Sequence, residues 1–115
     1  MRAPGPGDLI EIDAAEGGAS HEQRGRRPAL VVSIDACQES GLAIVCPVTT
    51  RGGKASKPRS DLEVAVPPGF AVSGVILSHQ VKTVDWKARN VAVLDHLPRA
   101  TLLQVRARLK LFLGL

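Results

Sequence analysis

Aromatic residues are scarce in this sequence of 115 residues, which has two phenylalanines, one tryptophan and no tyrosine. A core with so few rings must be aliphatic, so we expect valine, leucine, isoleucine and alanine to fill it. Apolar stretches of membrane-spanning length are absent, and residues 1–7, rich in proline and glycine, lack the apolar stretch of a signal peptide. The sequence therefore predicts a cytoplasmic protein with no membrane partner.

Cysteine is equally rare. Cys37 and Cys46 are isolated, show no metal-ligand spacing and lie in or beside apolar runs, which favours reduced thiols over a disulfide. No cluster of histidine, cysteine, aspartate and glutamate has metal-site spacing in the sequence, and Gly17 with Gly18 does not make a phosphate-binding loop. We therefore expect a protein that needs no cofactor.

The size and charge of the chain limit its organisation and its partners. Its length suits a single domain, residues 1–115, that buries a modest core. A net charge of +4 and a pI near 9.6 favour an anionic partner. A mild basic excess is also a common solubility feature, so charge alone does not identify that partner.

Short apolar segments bounded by turn residues predict a series of strands, at 8–12, 28–33, 42–49, 62–66, 74–78 and 90–94. The strands 28–33 and 42–49 are expected to pair around a turn at 38–41, and polar loops are expected at 14–26 and 51–60. After Pro98, apolar residues at helical spacing predict one amphipathic helix that closes the chain, with Leu102, Val105, Leu109 and Phe112 on its apolar face. Short strands, one terminal helix and no βαβ alternation predict a mainly β fold, a small and strongly bent antiparallel barrel.

The segment 21–33, HEQRGRRPALVVS, is a polar loop that ends in an arginine at the mouth of an apolar strand. Pro28 fixes its own φ and biases Arg27 toward extended geometry, while residues 29–32 anchor the strand behind it. A guanidinium held in this way can bind phosphate. The same side chain could instead cover the barrel edge with its methylene stem, so its position alone leaves both roles open.

Thr49 and Thr50 end the second apolar strand. A threonine hydroxyl can donate to a phosphate oxygen without adding bulk, but threonines are also ordinary residues of strand ends. The loop that follows carries four cations and no acid, namely Arg51, Lys54, Lys57 and Arg59. That loop is either a solvated face or an electrostatic track for an RNA backbone.

Three segments together, 7–10, 21–33 and 46–50, resemble the MazF/PemK toxins, which are bacterial endoribonucleases of toxin–antitoxin modules. The resemblance implies a mainly β fold with a C-terminal helix, a small SH3-like antiparallel barrel of the CcdB/PemK type. It also implies a metal-independent, sequence-preferring endoribonuclease that cleaves single-stranded RNA (mRNA) and leaves 2′,3′-cyclic phosphate and 5′-hydroxyl ends. The implied assembly is a homodimer with the RNA channel along its interface, neutralised by a cognate antitoxin whose acidic, flexible segment occupies the same groove.

The resemblance also implies roles for individual residues. Arg27 corresponds to a catalytic arginine that precedes a proline, and Thr49 to a catalytic threonine that helps hold the scissile phosphate beside it. The remaining expected RNA-binding residues are Arg26, Thr50, Arg51, Lys54, Lys57, Gln80 and Lys82. Trp86 belongs to the same family segment as Gln80, but a lone tryptophan in an aromatic-poor protein is expected to be a core anchor and not a stacking platform.

Proton transfer is the point at which this sequence departs from its relatives. Kid-like members carry His-Glu-Gln in the first loop, with a catalytic role for the histidine, and His21, Glu22 and Gln23 reproduce that pattern. Those members also use an arginine and an aspartate on a later strand, where this sequence has Leu77 and His79. We expect Glu22 to accept the proton of the 2′-hydroxyl and His21 to donate to the leaving oxygen, the alternative being that both are solvated loop residues.

Two other functional classes remain open at this point. Gyrase-poisoning toxins related to CcdB share the barrel, act on a protein target and cleave no RNA, and the presence of Arg27 with Thr49 argues against them. A noncatalytic RNA-binding barrel is the second alternative. Mapping the ends of RNA incubated with the protein separates all three, because only the nuclease leaves cyclic-phosphate termini.

Overall fold

The computed structural model describes residues 2–13, 25–50 and 57–115. In these ranges the elements follow in the order β1 (Asp8–Asp13), β2 (Arg26–Val31), α1 (Asp35–Glu39), β3 (Leu42–Thr49), β4 (Glu63–Ala65), β5 (Val75–Leu77), β6 (Lys82–Asp85), β7 (Ala92–His96) and α2 (Arg99–Leu113), with a short 3-10 helix (Ser78–Gln80) between β5 and β6. The strands form one antiparallel sheet in the order β4-β5-β3-β2-β1-β7, and β6 pairs with β3. The expected mainly β architecture with a C-terminal helix is confirmed.

The strand β3 holds the sheet together because it changes partner along its length. Its first half, Leu42 to Val45, pairs with β6. Its last two residues, Val48 and Thr49, pair with β5 on the same edge. The 3-10 helix lies between these two partners, so the sheet bends beside the carboxyl end of β3.

Side-chain alternation along the central strands supplies two separate cores, because successive residues of a strand point to opposite faces. One face, which we call the helix-side core, contains Leu9, Leu30 and Cys46 and is covered by Leu102 and Val105 of α2. The other face, the tryptophan-side core, is formed by Ile10, Ile12, Ala29, Val31, Ala43, Val45, Val84 and Trp86. The strands β1, β2 and β3 are therefore buried on both faces, as in a closed or strongly curved sheet.

The helix α2 begins directly after Pro98, which is its N-cap. Leu102 and Val105 are fully covered by the sheet, whereas Leu109 is only partly buried against it. Phe112, expected on the same face, is 39% exposed. The packed face of the helix therefore ends before its last turn. In the described part of the chain, no helix combines the length and apolar character needed to cross a membrane.

Trp86 is a core residue, as predicted, with only 3% of its surface exposed. Its indole Nε1 donates to the carbonyl oxygen of Gln38 at 2.8 Å. The Gln38 side chain is itself buried, and its amide nitrogen donates to the carbonyl oxygen of Ser33 at 3.1 Å. These bonds satisfy polar groups that would otherwise be costly to bury, and they fix α1 against the sheet.

Three described elements were not predicted, namely β6, α1 and the 3-10 helix Ser78–Gln80. The strand β6 was missed because only Val84 of its four residues is buried, so it lacks an apolar run. The sequence predicted only a turn at 38–41, but the five-residue helix α1 precedes and overlaps that turn. Because no side chain caps this helix, the sequence carries no capping signal for it. The strand β2 begins at Arg26, two residues earlier than expected, and β7 ends two residues later. Of the predicted loops, residues 14–24 and 51–56 lie outside the described ranges.

Candidate active site

The register of the central strands aligns three side chains across the sheet. Ile12 of β1 is paired with Arg27 of β2. Ala29 of β2 is paired with Pro47 of β3, so continuing that antiparallel register by two residues sets Arg27 opposite Thr49. Arg27 and Thr49, two of the four residues expected to be catalytic, thus lie on the face that carries the tryptophan-side core.

These side chains line a surface cleft of about 290 Å³. Its lining consists of Ile12, Arg27, Pro28, Pro47, Val48, Thr49, Gln80, Lys82 and Arg89. Three of these described lining residues carry a positive charge and none is a carboxylate. Since opposing cations on a concave surface attract anions, the cleft has the electrostatic character of a phosphate-binding site.

Arg27 is exposed at the start of β2, and Pro28 restricts the backbone that carries it. Its neighbour Arg26 points to the opposite face of the strand, as alternation requires. There the Arg26 guanidinium donates to Glu11 Oε1 at 3.0 Å and to Asp13 Oδ1 at 2.7 Å. It also donates to the carbonyl oxygens of Glu11 at 2.7 Å and Asn90 at 2.6 Å. Arg26, which was expected to bind RNA, is thereby engaged in holding β1, β2 and the turn before β7 together.

Thr49 is the last residue of β3 and is half-buried in the cleft wall. Thr50 follows it and is exposed, but its hydroxyl donates to the carbonyl oxygen of Ser73 at 2.8 Å. The two adjacent threonines therefore differ in surroundings. Thr49 faces the cleft, and Thr50 ties the end of β3 to the segment that precedes β5.

Gln80 and Lys82 reach the cleft from its other side. Gln80 ends the 3-10 helix and Lys82 begins β6, where it pairs with Val45 of β3. Both are exposed and line the cleft with Arg27 and Thr49. His79 is exposed next to Gln80 but is not among the lining residues.

Arg89 is the charged lining residue that the sequence did not predict. It lies in the turn after Trp86, and its Nε donates to the carbonyl oxygen of Asp13 at 2.9 Å, with a second, short bond from the same guanidinium. Asp13 is the last described residue before 14–24, so Arg89 anchors the root of that segment beside the cleft. Its only signal in the sequence is a positive charge close to the Trp86 segment.

The remaining expected site residues are distributed differently. Lys57 is exposed and does not line the cleft, and Leu77 is half-buried in β5. His21, Glu22, Arg51 and Lys54 lie outside the described ranges. Among the described lining residues there is no carboxylate or imidazole, so a proton acceptor would have to come from elsewhere.

A larger depression, of about 570 Å³, lies on another part of the surface and is lined by Arg2, Ala3, Gly5, Asp8, Asp35 and Val93. The Asp8 carboxylate is already bound there, accepting from the Gly5 amide at 2.7 Å and lying 2.9 Å from His96 Nδ1. With two carboxylates and one arginine, this depression is unsuited to a phosphate chain. We therefore locate the candidate site in the smaller, cationic cleft.

Neither cysteine belongs to the cleft. Both are free thiols, Cys37 partly exposed and Cys46 fully buried in the helix-side core. Burial raises the pKa of the Cys46 thiol to about 12, because an apolar environment disfavours the thiolate. Within the described ranges, no group of three or more histidine, cysteine, aspartate or glutamate residues is arranged to hold a metal ion.

Comparisons of the sequence and of the structure with known proteins point to one protein family. Residues 5–113 match the family described as PemK-like, MazF-like toxin of type II toxin-antitoxin system. The chain is 32% identical over 106 residues to the endoribonuclease PemK of Escherichia coli, which covers 91% of this chain and 77% of that protein. MazF from Deinococcus radiodurans has a TM-score of 0.82 and 35% identity, covering 100% of both chains. A chain of the MazE-MazF structure from the same organism has a TM-score of 0.84 and 32% identity, covering 99% of each chain.

Proposed function

Since the chain belongs to the PemK-like, MazF-like toxin family of type II toxin–antitoxin systems and is an RNA-cleaving toxin, we propose that it cleaves single-stranded RNA in the cleft between Arg27 and Thr49. The observation that carries this proposal is that Arg27 and Thr49, from adjacent strands, line one cationic cleft and so bring a guanidinium and a hydroxyl together. A phosphodiester lying there meets two donors from adjacent strands.

The reaction that suits these groups is attack of a ribose 2′-hydroxyl on its neighbouring phosphorus. The new 2′-oxygen–phosphorus bond forms as the bond to the 5′-oxygen breaks, which leaves a 2′,3′-cyclic phosphate and a 5′-hydroxyl. Negative charge grows on the two nonbridging oxygens in the transition state. Arg27 stabilises that charge and Thr49 orients the phosphate by donating to it. Both the nucleophile and the leaving group belong to the RNA, so no metal or cofactor is required.

Two protons must move in this reaction, one from the 2′-hydroxyl and one to the 5′-oxygen. A guanidinium barely gives up its proton, so Arg27 is a poor base. We assign the first transfer to Glu22 and the second to His21, since a carboxylate near arginines stays ionised and an imidazole can donate near neutral pH. Both belong to the segment that joins Asp13 to β2, and Ile12 and Arg27, which lie before and after that segment in the sequence, line the cleft.

The RNA backbone is proposed to run over Gln80 and Lys82, with the loop cations Arg51, Lys54 and Lys57 extending the track beyond the cleft. Arg89 adds a further cation to the lining. Phosphate neutralisation by such residues supplies affinity without sequence information. Arg26 is better explained as a strand-holding residue, because its donors are already bound to carboxylate and carbonyl oxygens.

The partners follow from the family and from the charge of the cleft. The MazF relative occurs in a complex with MazE, and we propose that this chain is neutralised by a cognate antitoxin. An acidic, flexible segment of the antitoxin would compete with RNA for the same cations. We also propose that the toxin acts as a homodimer in the cytoplasm. The apolar side chains exposed at the end of α2, Leu111, Phe112 and Leu113, are suited to burial between two copies.

Incubation of the purified protein with a bacterial RNA pool, followed by mapping of the new ends, tests this function. Cyclic-phosphate and 5′-hydroxyl termini are expected, and their sequence context gives the cleavage preference. Intact RNA, or ends that carry a 5′-phosphate, would contradict the proposed chemistry. Binding without cleavage would favour the noncatalytic barrel instead.

A further inference from the structure

We propose that Gly74 and Thr50 are positioning residues that set the place of Thr49 in the cleft, an inference that rests on the proposed role of Thr49. Neither residue lines the cleft. Both act on the end of β3, one by allowing a close backbone approach and the other by a hydrogen bond. Together they join the catalytic end of β3 to the segment before β5.

Gly74 lies where three strand ends meet. The next residue, Val75, pairs with Thr49 of β3 on one side and with Ala65 of β4 on the other. The carbonyl oxygen of Gly74 accepts from the Val66 amide at 2.9 Å. Gly74 is therefore fixed on the β4 side and cannot retreat from Thr49 without breaking that contact.

The approach of Gly74 to Thr49 leaves no room for a side chain. A Cβ atom at Gly74 would lie 2.3 Å from the carbonyl oxygen of Thr49 and 3.0 Å from its carbonyl carbon. Ordinary contact begins at 3.4 Å, so an alanine would push the Thr49 peptide away by about 1 Å. The φ of Gly74 is +151°, a conformation that disfavours any residue with a Cβ. Because Gly74 is held by the Val66 amide, we infer that the end of β3, which carries Thr49, is displaced.

Thr50 fixes the same junction from the other strand. Its hydroxyl donates to the carbonyl oxygen of Ser73 at 2.8 Å. A hydroxyl has a single proton, so in this arrangement Thr50 can only accept further hydrogen bonds. A phosphodiester is also only an acceptor at neutral pH, so the Thr50 hydroxyl has no proton left to donate to it. The structure thus assigns Thr50 to the positioning of Thr49 and not to phosphate contact.

Gly74→Ala and Thr50→Val test this assignment on a synthetic RNA that the wild-type protein cleaves. At saturating protein, a displacement of about 1 Å should slow single-turnover cleavage by about 100-fold in Gly74→Ala. Loss of one hydrogen bond should slow Thr50→Val by about tenfold. The Kd for the same RNA with a 2′-deoxy nucleotide at the scissile position should not change in either variant, because the cations of the cleft remain.

Three further variants make the result specific. Gly69→Ala introduces the same residue at a φ of +91°, where no atom lies within 4 Å of the new Cβ, and should cleave as the wild type does. Thr50→Ser keeps the hydroxyl and should restore the rate lost in Thr50→Val. Thr49→Ala reports on the proposed function itself. If Gly74→Ala does not fold, Thr50→Val and Thr50→Ser still test the inference, because Thr50 is exposed.

The outcomes separate this inference from the function on which it rests. Wild-type rates in both Gly74→Ala and Thr50→Val beside an inactive Thr49→Ala would overturn the inference and leave the proposed function intact. A weaker Kd with an unchanged cleavage rate in Thr50→Val would assign Thr50 to RNA binding. An equal loss of cleavage rate in Gly69→Ala would show that any alanine at a positive φ has this effect, whatever its distance from Thr49. Either result contradicts the inference. Full cleavage by Thr49→Ala would overturn both.

Discussion

Two adjacent arginines differ in their expected roles: Arg26 stabilises the fold, and Arg27 takes part in the reaction. Substituting either one with alanine removes one positive charge from nearly the same place in the chain. The long-range attraction for RNA therefore falls by a similar amount in both variants. Any difference between them must come from the face of β2 on which each side chain lies.

The cost of Arg26→Ala can be estimated from its contacts. The guanidinium makes two hydrogen bonds to carboxylates and two to backbone carbonyls. Its side chain is 27% exposed, and those of Glu11 and Asp13 are 35% and 47% exposed, so solvent weakens the two ion pairs. Allowing for water that replaces the lost bonds, we expect a loss of about 2 kcal/mol in the free energy of unfolding. The entropy of unfolding is roughly 0.24 kcal/mol/K for this length, so the Tm should fall by about 8 °C.

The cost of Arg27→Ala should appear in the reaction and not in the fold. Arg27 is exposed at the cleft, and exposed substitutions usually change stability by no more than about 0.5 kcal/mol, or about 2 °C in Tm. Removing a preorganised donor from a transition state typically slows catalysis by about 100-fold to 1,000-fold. Arg27→Lys keeps the charge but loses the planar fork of donors, so its rate should fall between those of the wild type and Arg27→Ala.

The assay is a paired measurement of thermal unfolding and single-turnover RNA cleavage. All variants are compared at one protein concentration, since the Tm of an oligomer depends on it. Cleavage is measured well below the Tm of Arg26→Ala. An unchanged Tm with weaker RNA binding in Arg26→Ala would return Arg26 to the RNA track and refute its role in holding the strands together. Full cleavage by Arg27→Ala would remove Arg27 from the mechanism.

Three other predictions follow from the cleft and the core. Cleavage should persist in excess EDTA, and activity that returns only with a divalent ion would contradict the mechanism. The six cations of the proposed RNA track, three in the cleft and Arg51, Lys54 and Lys57 in the loop, should give a slope of about −4 for log K against log salt. Glu22→Gln and His21→Ala should each slow cleavage more than they weaken binding and should each remove one limb of the pH–rate profile, whereas wild-type profiles in both would show that they transfer no proton. Because the folded Cys46 thiol has a pKa of about 12 against 9.0 when exposed, it holds its proton more tightly than the unfolded chain does. The free energy of unfolding should therefore fall as pH rises from about 9 to about 12, and Cys46→Ala should lack that fall.

The sequence predicted those elements of the fold whose own residues form an apolar pattern. The strand at 42–49 was predicted with its observed bounds, because an apolar run rich in β-branched residues stands between turn residues. The strand β6 was not predicted, since its burial depends on pairing with β3 and not on its own composition. Helix α1 was missed for a similar reason, because Gln38, its only buried residue, is polar.

For the site, single residues could be predicted but their neighbours could not. Alternation along β2 was enough to say that Arg26 and Arg27 point apart, but the carboxylates that bind Arg26 come from β1, fifteen and thirteen residues away. Arg89 is 76 residues from Asp13 in sequence. Such contacts depend on which distant strands pair and in which register, and the apolar pattern of each strand does not reveal its partner.

The division of the interior into two cores also determines what spectroscopy can observe. The only tryptophan of the chain is in the tryptophan-side core, and there is no tyrosine to add a second emission. Helix α2, the longest of the described helices, packs on the other core and contributes most of their circular dichroism. Fluorescence and far-UV dichroism therefore report on opposite faces of the same sheet. Coincident melting curves would mean that β1, β2 and β3 couple the two halves into one cooperative unit, and separate curves would reveal an intermediate in which one face is already solvated.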